Sequence, residues 1–243
     1  MVHPTWLEPF SPMFRHAVSE QLVAGAPNKL ACFDADGTLW QEDLGEALFR
    51  WLVAGDLLPA LGSAPDPFEV WRDYESRVTK NRAEGYAWAV QCMAGVKQAD
   101  LEKWCKQLAF AWPNYRPEMA ALVKGLRGAG YEVWLVSASN GWVIEAAAPM
   151  VGGAPTQVLG MRVEVEAGLL TERMVRPLTC NHGKVDAIRQ RLNRAPDLAV
   201  GDSLGDLEML EAASLALVVG RHDRPGAELP RLAAARGWPV HLF

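Results

Sequence analysis

The chain has 243 residues, of which 50% are hydrophobic and 22% charged, and its formal net charge is -5. That length and apolar fraction allow a substantial buried core, as one large domain or a core plus a smaller unit, and they exclude a largely disordered chain. The acidic balance and the lack of a dense Lys/Arg run exclude a basic nucleic-acid surface, and no apolar stretch reaches the length of a membrane span.

The first ten residues, Met1 to Phe10, lack a basic start followed by an apolar run. No secretory signal is expected there, and the cytoplasm is the expected compartment. Cys32, Cys92, Cys105 and Cys180 are widely spaced and form no C-x-x-C pair, so the pattern points to neither a zinc site nor a disulfide frame.

Along the chain, the first informative segment is the apolar, strand-like run Leu30 to Phe33, followed by Asp34-Ala35-Asp36-Gly37-Thr38. Residues i and i+2 of a strand share a side. Carboxylates at a strand's carboxyl end, where the chain turns out on a glycine, can meet water, a metal or a phosphate. Two of them together repel unless a cation or a proton sits between. A calcium loop would need further oxygen ligands at regular spacing and a closing glutamate, whereas Leu39 and Trp40 follow here.

From Gln41 to Asn114 the texture changes to helical periodicity without alternating strands. Leu44, Ala47, Leu48, Trp51 and Leu52 mark one amphipathic helix, and Asp66-Pro67 reads as the N-cap and first position of another. Further helices are expected near Glu84 to Met93 and Asp100 to Phe110, before Trp112-Pro113 and Arg116-Pro117 end the segment. It reads as an inserted helical cap.

A helix carrying Met119, Leu122, Val123 and Leu126 follows, broken by glycines before a strand from Tyr131. Its apolar run Val133 to Val136 ends in Ser137-Ala138-Ser139-Asn140, which offers hydroxyls and loop N–H groups. Asn181-His182-Gly183-Lys184 opens an amphipathic helix with Val185, Ile188 and Leu192 on one face. Leu198 to Val200 is a third strand, ending in Gly201-Asp202-Ser203-Leu204-Gly205-Asp206. Open α/β sheets bind ligands beyond the carboxyl ends of their strands, so these groups can converge in one crevice.

With these segments in this order the chain resembles the haloacid dehalogenase superfamily of phosphohydrolases, in its phosphoserine-phosphatase-like branch. The match covers Asp34 to Thr38, Ser137, Lys184 and Gly201 to Asp206, and extends to a hairpin-like stretch from Val158 to Gly168. The resemblance implies an α/β fold: a Rossmann-like three-layer core with a mainly parallel sheet over residues 1–40 and 115–243, and a helical cap over 41–114.

It also implies roles. Asp34 is expected as the nucleophile that forms an aspartyl-phosphate, and Asp36 as the general acid and base. Mg2+ is the implied cofactor, held by the carboxylates of Asp34 and Asp202 and the backbone carbonyl of Asp36, with Asp206 as support. Ser137, with Gly37, Thr38 and Ala138, is expected to meet the phosphate while Lys184 offsets its charge. Each residue also has an ordinary reading: turn or cap for Asp36 and Asp202, N-cap for Ser137, a solvated first helical turn for Lys184.

The implied partner is a small-molecule phosphomonoester. In this branch an acid seven residues after the second aspartate grips a substrate ammonium, and Asp43 stands there; with Glu46 it equally reads as a capping-box-like pair. The branch's cap arginine has no clear counterpart, and Arg82 or Arg77 would have to substitute. An amine-bearing substrate (phosphoserine, phosphoethanolamine or phosphocholine) is expected from Asp43, and the missing arginine, which in the branch meets the serine carboxylate, favours an amine without a carboxylate. Six tryptophans in or beside the cap, with Trp40 at the entrance, offer a cation–π cage, while Trp51, Trp71 and Trp104 also fit core packing. Alternatives from the same residues are a phosphotransferase or phosphomutase, and a catalytically silent phosphate-binding module.

Overall fold

The computed structural model describes residues 3–25, 28–224 and 227–243. Helix α1 (Pro12–Val23) precedes β1 (Leu30–Phe33), after which the chain runs through α2 (Leu44–Ala54), α3 (Pro67–Lys80), α4 (Arg82–Gln91) and α5 (Gln98–Ala111). It continues through α6 (Pro117–Gly128), β2 (Glu132–Asn140), α7 (Gly141–Ala147) and β3 (Val158–Met161). The antiparallel pair β4 (Val163–Glu166) and β5 (Leu169–Met174) leads to α8 (His182–Leu192) and β6 (Leu198–Gly201). Last come α9 (Leu207–Ala212), β7 (Leu215–Gly220), α10 (Glu228–Ala235) and β8 (Val240–Leu242).

The main sheet has the order β3-β2-β1-β6-β7-β8 and is parallel throughout. Growth proceeds outward from β1 to β3, then resumes on the other side of β1 with β6. The strand order therefore reverses between β1 and β6, and the ligand crevice of such a sheet lies beyond their carboxyl ends.

β1 is apolar throughout because both of its faces are covered. Ala31 and Phe33 pack with Val133, Leu135 and Val200 on one face, while Leu30 and Cys32 pack with Trp134, Val136 and Ala199 on the other. The helical insertion adds to the first of these cores: Leu44, Leu48 and Leu52 of α2 recur at helical spacing and are fully buried in it. Asp43 caps α2 by accepting the Glu46 N–H at 2.7 Å, and Asp66 caps α3 by accepting the Phe68 N–H at 2.9 Å.

The chain leaves for the insertion and returns through one hydrogen-bonded pair of segments. Gln41 N–H donates to Asn114 O at 2.9 Å and Arg116 N–H to Leu39 O at 3.1 Å, which sets Trp40 antiparallel to Tyr115.

Three details differ from the sequence reading. The stretch from Val158 to Gly168 is not one hairpin: β3 joins the parallel sheet, and the hairpin proper is β4 and β5 around Ala167-Gly168. Ser137 to Asn140 is not loop, because β2 runs through it past a register shift and α7 follows at once, capped by Asn140. Trp51, expected in the core, is 42% exposed; Phe49 is buried in α2 instead.

The hairpin also pairs with the insertion. Gly95 N–H donates to Leu170 O (2.8 Å), Leu170 N–H to Val96 O (2.9 Å) and Gln98 N–H to Gly168 O (2.9 Å). The connection between α4 and α5 is thereby held to β5 by backbone bonds on both of its sides.

Candidate active site

Beyond β1, Asp34 N–H donates to Val200 O at 2.9 Å, which fixes the acidic loop after β1 to β6 at the switch point. Lys184, from the first turn of α8, is 2% exposed and donates from Nζ to Asp34 Oδ1 and Asp206 Oδ1, each at 2.6 Å. A buried ammonium is tolerable only with such partners. The two carboxylates hold its pKa well above the ordinary lysine value against the opposing effect of burial.

Asp206 is spent on its own loop. Its Oδ2 accepts the N–H groups of Asp202 and Ser203, both at 3.1 Å, and the Ser203 hydroxyl at 3.3 Å. This is a capping box that shapes the turn after β6. Asp206 thus supports the site, and Asp202 keeps its carboxylate free of that turn.

Asp34 Oδ2 is buried and has no hydrogen-bond partner. Carboxylate oxygens of Asp34, Asp202 and Asp206 lie within 4.8 Å of one another. Burial, then Asp206, push the Asp34 carboxyl up to about 7, with Lys184 opposing, and burial with the neighbouring acids raises Asp202 well above the usual range. Clustered oxygen donors around an orphaned buried carboxylate oxygen fit a hard divalent cation.

Gly37 is required twice. Its φ of 81° is left-handed, and a Cβ there would collide with the Asp202 carboxylate. The Thr38 hydroxyl is directed at Asp202 Oδ1 from 3.5 Å.

Asp36 faces the other way. Oδ1 accepts the Trp40 indole N–H at 2.8 Å and the Leu44 N–H at 2.7 Å, while Oδ2 accepts the Ser139 hydroxyl at 2.7 Å and the Ser137 hydroxyl at 3.2 Å. Ser137 Oγ also accepts the Ser139 N–H at 3.0 Å. In this state Ser137 therefore orders Asp36. Gly45 permits α2 to approach Ser139 so closely, since a Cβ would stand 2.6 Å from its hydroxyl.

An inner chamber of about 70 Å³ is lined by Asp34, Asp36, Ser137, Ala138 and Lys184 from the sheet side and Asp43, Arg82 and Tyr86 from the insertion. Asp36, Asp43, Arg82 and Tyr86 also line a cleft of about 650 Å³, where Asp43, Glu46 and Arg82 meet Gly37, Arg116 and Asp202. Burial, Asp36 and Glu46 raise the Asp43 carboxyl well above its usual value, and burial raises Glu46 even though the Tyr74 hydroxyl donates to it at 3.0 Å.

Trp40 does not line the entrance. It is fully buried, edge-on to Tyr115 with centroids 5.7 Å apart. No tryptophan lines the cleft or the chamber among the described residues, and Arg50 and Arg77 already lie over the Trp71 and Trp88 rings at 3.2 and 4.6 Å. The cation–π cage is therefore not formed around the cleft, and on Trp71 and Trp88 the protein's own guanidinium groups already occupy an indole face.

The sequence reading missed Arg116 and Ser139. Arg116 is 3% exposed, donates from Nη2 to Gly37 O at 3.3 Å and lies over the Phe243 ring at 4.0 Å, where burial, then Arg221, depress its pKa. Nothing local marks it, since it arrives with the returning end of the insertion. Ser139 did carry a signal: it stands two residues after Ser137 on a strand, on the same side.

The haloacid dehalogenase-like hydrolase family model matches residues 31–211, a span containing every acid above and Lys184. Over 225 residues the chain is 25% identical to a histidinol-phosphatase of Neisseria meningitidis, covering 88% of this chain and 98% of that one. Over 206 residues it is 26% identical to a phosphoserine phosphatase of Mycobacterium tuberculosis, covering 83% of this chain and 46% of that one. A solved structure from Bordetella pertussis, described as of unknown function, superposes with a TM-score of 0.70 at 26% identity, covering 89% of this chain and 99% of that one. With the family match spanning the strands, the loops and the lysine that build the crevice, the chain belongs to the haloacid dehalogenase-like hydrolase family.

Proposed function

We propose that this chain is a magnesium-dependent phosphomonoester hydrolase that works through an aspartyl-phosphate on Asp34, with α2 to α5 as a cap over the site. What carries this reading is the Asp34 carboxylate: one oxygen paired to Lys184 at 2.6 Å, the other buried without a partner at the wall of a small polar chamber. A buried carboxylate left half satisfied is costly in a structural ion pair and useful in a nucleophile.

Asp34 and Asp202, with the Asp36 carbonyl, are the residues that would hold Mg2+, which when bound supplies positive charge to the phosphate and to the clustered acids. Lys184 neutralises Asp34 and the incoming phosphate together. Asp36 is set by two hydroxyls and two N–H groups to exchange a proton with the leaving alcohol and then with water. Ser137 and the Ala138 segment wall the chamber beside it.

The cleft favours a substrate with a cationic end. Burial raises the pKa of both Asp43 and Glu46, and an ammonium between them would stabilise their charged forms. Phosphoserine and histidinol phosphate, the compounds in the relatives' names, are both amino-alcohol phosphates. Arg82, without an ion-pair partner among the described residues, stands on the same wall and suits an anionic group.

The test is magnesium-dependent phosphate release from phosphoserine, histidinol phosphate, phosphoethanolamine, phosphocholine, sugar phosphates and nucleotides, with Asp34→Asn in parallel. Release lost in the variant, and fastest with an amine-bearing member, is the expected result. Folded, magnesium-loaded protein that releases phosphate from none of them overturns the reading.

A further inference from the structure

We propose, resting on the phosphatase reading above, that Trp40 is a positioning residue for the proton donor and that Asp36 Oδ2 is the oxygen that carries the transferred proton. Both donors to Oδ1 are N–H groups, the Trp40 indole at 2.8 Å and the Leu44 amide at 2.7 Å. Neither can accept a hydrogen bond, so Oδ1 stays an unprotonated acceptor as long as they are in place. Oδ2 meets only hydroxyls, Ser139 at 2.7 Å and Ser137 at 3.2 Å. A hydroxyl can reverse from donor to acceptor, which lets Oδ2 hold a proton without losing its partner.

The indole is held where it is from the insertion side. Trp40 is fully buried against Tyr115, and the Leu39–Gln41 and Asn114–Arg116 segments are bonded to each other on either side of that pair. Leu44 is the first residue of α2, and its amide is one of the helix-end donors that no carbonyl within the helix can satisfy. The proton donor is thus aimed by the two chain crossings that carry the cap, while its reactive oxygen faces the sheet.

In the step this serves, an Asp34 oxygen bonds to phosphorus as the bond from phosphorus to the alcohol oxygen breaks. The electron pair leaves with that oxygen, which takes the proton from Asp36 Oδ2. Water then attacks phosphorus, gives its proton back to Oδ2 and releases the Asp34 carboxylate with phosphate.

The leaving group supplies the test. p-Nitrophenolate departs without a proton, whereas a simple alkoxide needs one. Trp40→Phe keeps an aromatic ring and loses the N–H, and it should lower kcat/KM, which reports formation of the aspartyl-phosphate, about tenfold more for an alkyl phosphomonoester than for p-nitrophenyl phosphate, a part of what a positioned acid contributes. The ratio of the two rates in one preparation does not depend on the fraction folded. Replacing Trp40 by 3-benzothienylalanine, which removes the N–H and keeps the bicyclic ring, should give the same ratio. Equal losses on both esters in either protein overturn this inference alone. The alkyl ester is the panel member hydrolysed fastest; folded, magnesium-loaded wild-type protein that hydrolyses neither ester nor any other panel member overturns the phosphatase reading, and this inference with it.

Discussion

Two regions of the crevice bury charge in opposite ways. At the sheet end, Lys184 is shared between Asp34 and Asp206 at 2.6 Å each, and Asp206 is bonded on its other oxygen by the turn after β6. On the wall formed by α2, Asp43 and Glu46 face the same cleft without a direct ion pair among the described residues, and burial pushes both toward the neutral form. Paired burial is a structural commitment, because removing one partner strands the other. Unpaired burial leaves room for a ligand of opposite sign, which is the role proposed for the substrate's ammonium.

The largest expected effect breaks the paired region. Asp34→Asn should reduce phosphate release by about a thousandfold or more, the scale seen when a nucleophile is lost. It should leave the metal-free protein no less stable by thermal melting, since it removes a carboxyl that burial and Asp206 already push up to about 7. A marked loss of stability would show that the Lys184 pair, and not repulsion, dominates there. Lys184→Met is the opposite case. It leaves Asp34 and Asp206 buried without their cation and should cost about 3 to 5 kcal/mol in denaturant unfolding, besides abolishing activity.

The unpaired wall should respond in affinity and not in stability. Asp43→Asn retains a good N-cap for α2, so the unfolding midpoint should stay close to wild type. Its Michaelis constant for an amine-bearing substrate should rise about tenfold or more, the worth of one hydrogen bond to a charged group, with little change for a sugar phosphate. Equal changes for both substrates would remove the ammonium from the argument and leave Asp43 as a cap.

The same contrast explains what could be read from the sequence. Asp34, Asp36, Lys184 and Asp202 were legible because each sits at a strand end or helix start whose signals lie within a few residues, and α2 and α3 announced themselves by spacing and by Asp66-Pro67. Trp40 was not, because its neighbours in sequence point to an exposed loop end while its surroundings are set by Tyr115, brought back from the far side of the insertion. Arg116 was hidden for the same reason. The hairpin-like reading of Val158 to Gly168 rests on the resemblance alone, which carries no information on the strand partner of Val158 to Met161, and that segment is the parallel edge of the main sheet.

The smallest effect sharpens the comparison away from the crevice. His241, on the edge strand β8, is half buried beside Phe10, Phe14 and Phe243, and its Nδ1 accepts the Ser11 N–H at 3.2 Å. Burial lowers its pKa, with smaller opposing and reinforcing charges from Glu118, His222 and Arg116. A histidine depressed in the fold is bound there as the neutral base, so its contribution is fully present above the unfolded pKa near 6.5 and is lost as pH falls through the folded value. Acidification should therefore loosen β8 from α1 by about 1 kcal/mol, the worth of the one hydrogen bond that a protonated Nδ1 can no longer accept. Thermal melting of wild type and His241→Phe across this range checks it: the wild-type curve should fall more steeply with acid than the variant's. Parallel curves would mean that this neutral burial, unlike the charged burial at Lys184, contributes nothing that pH can reach.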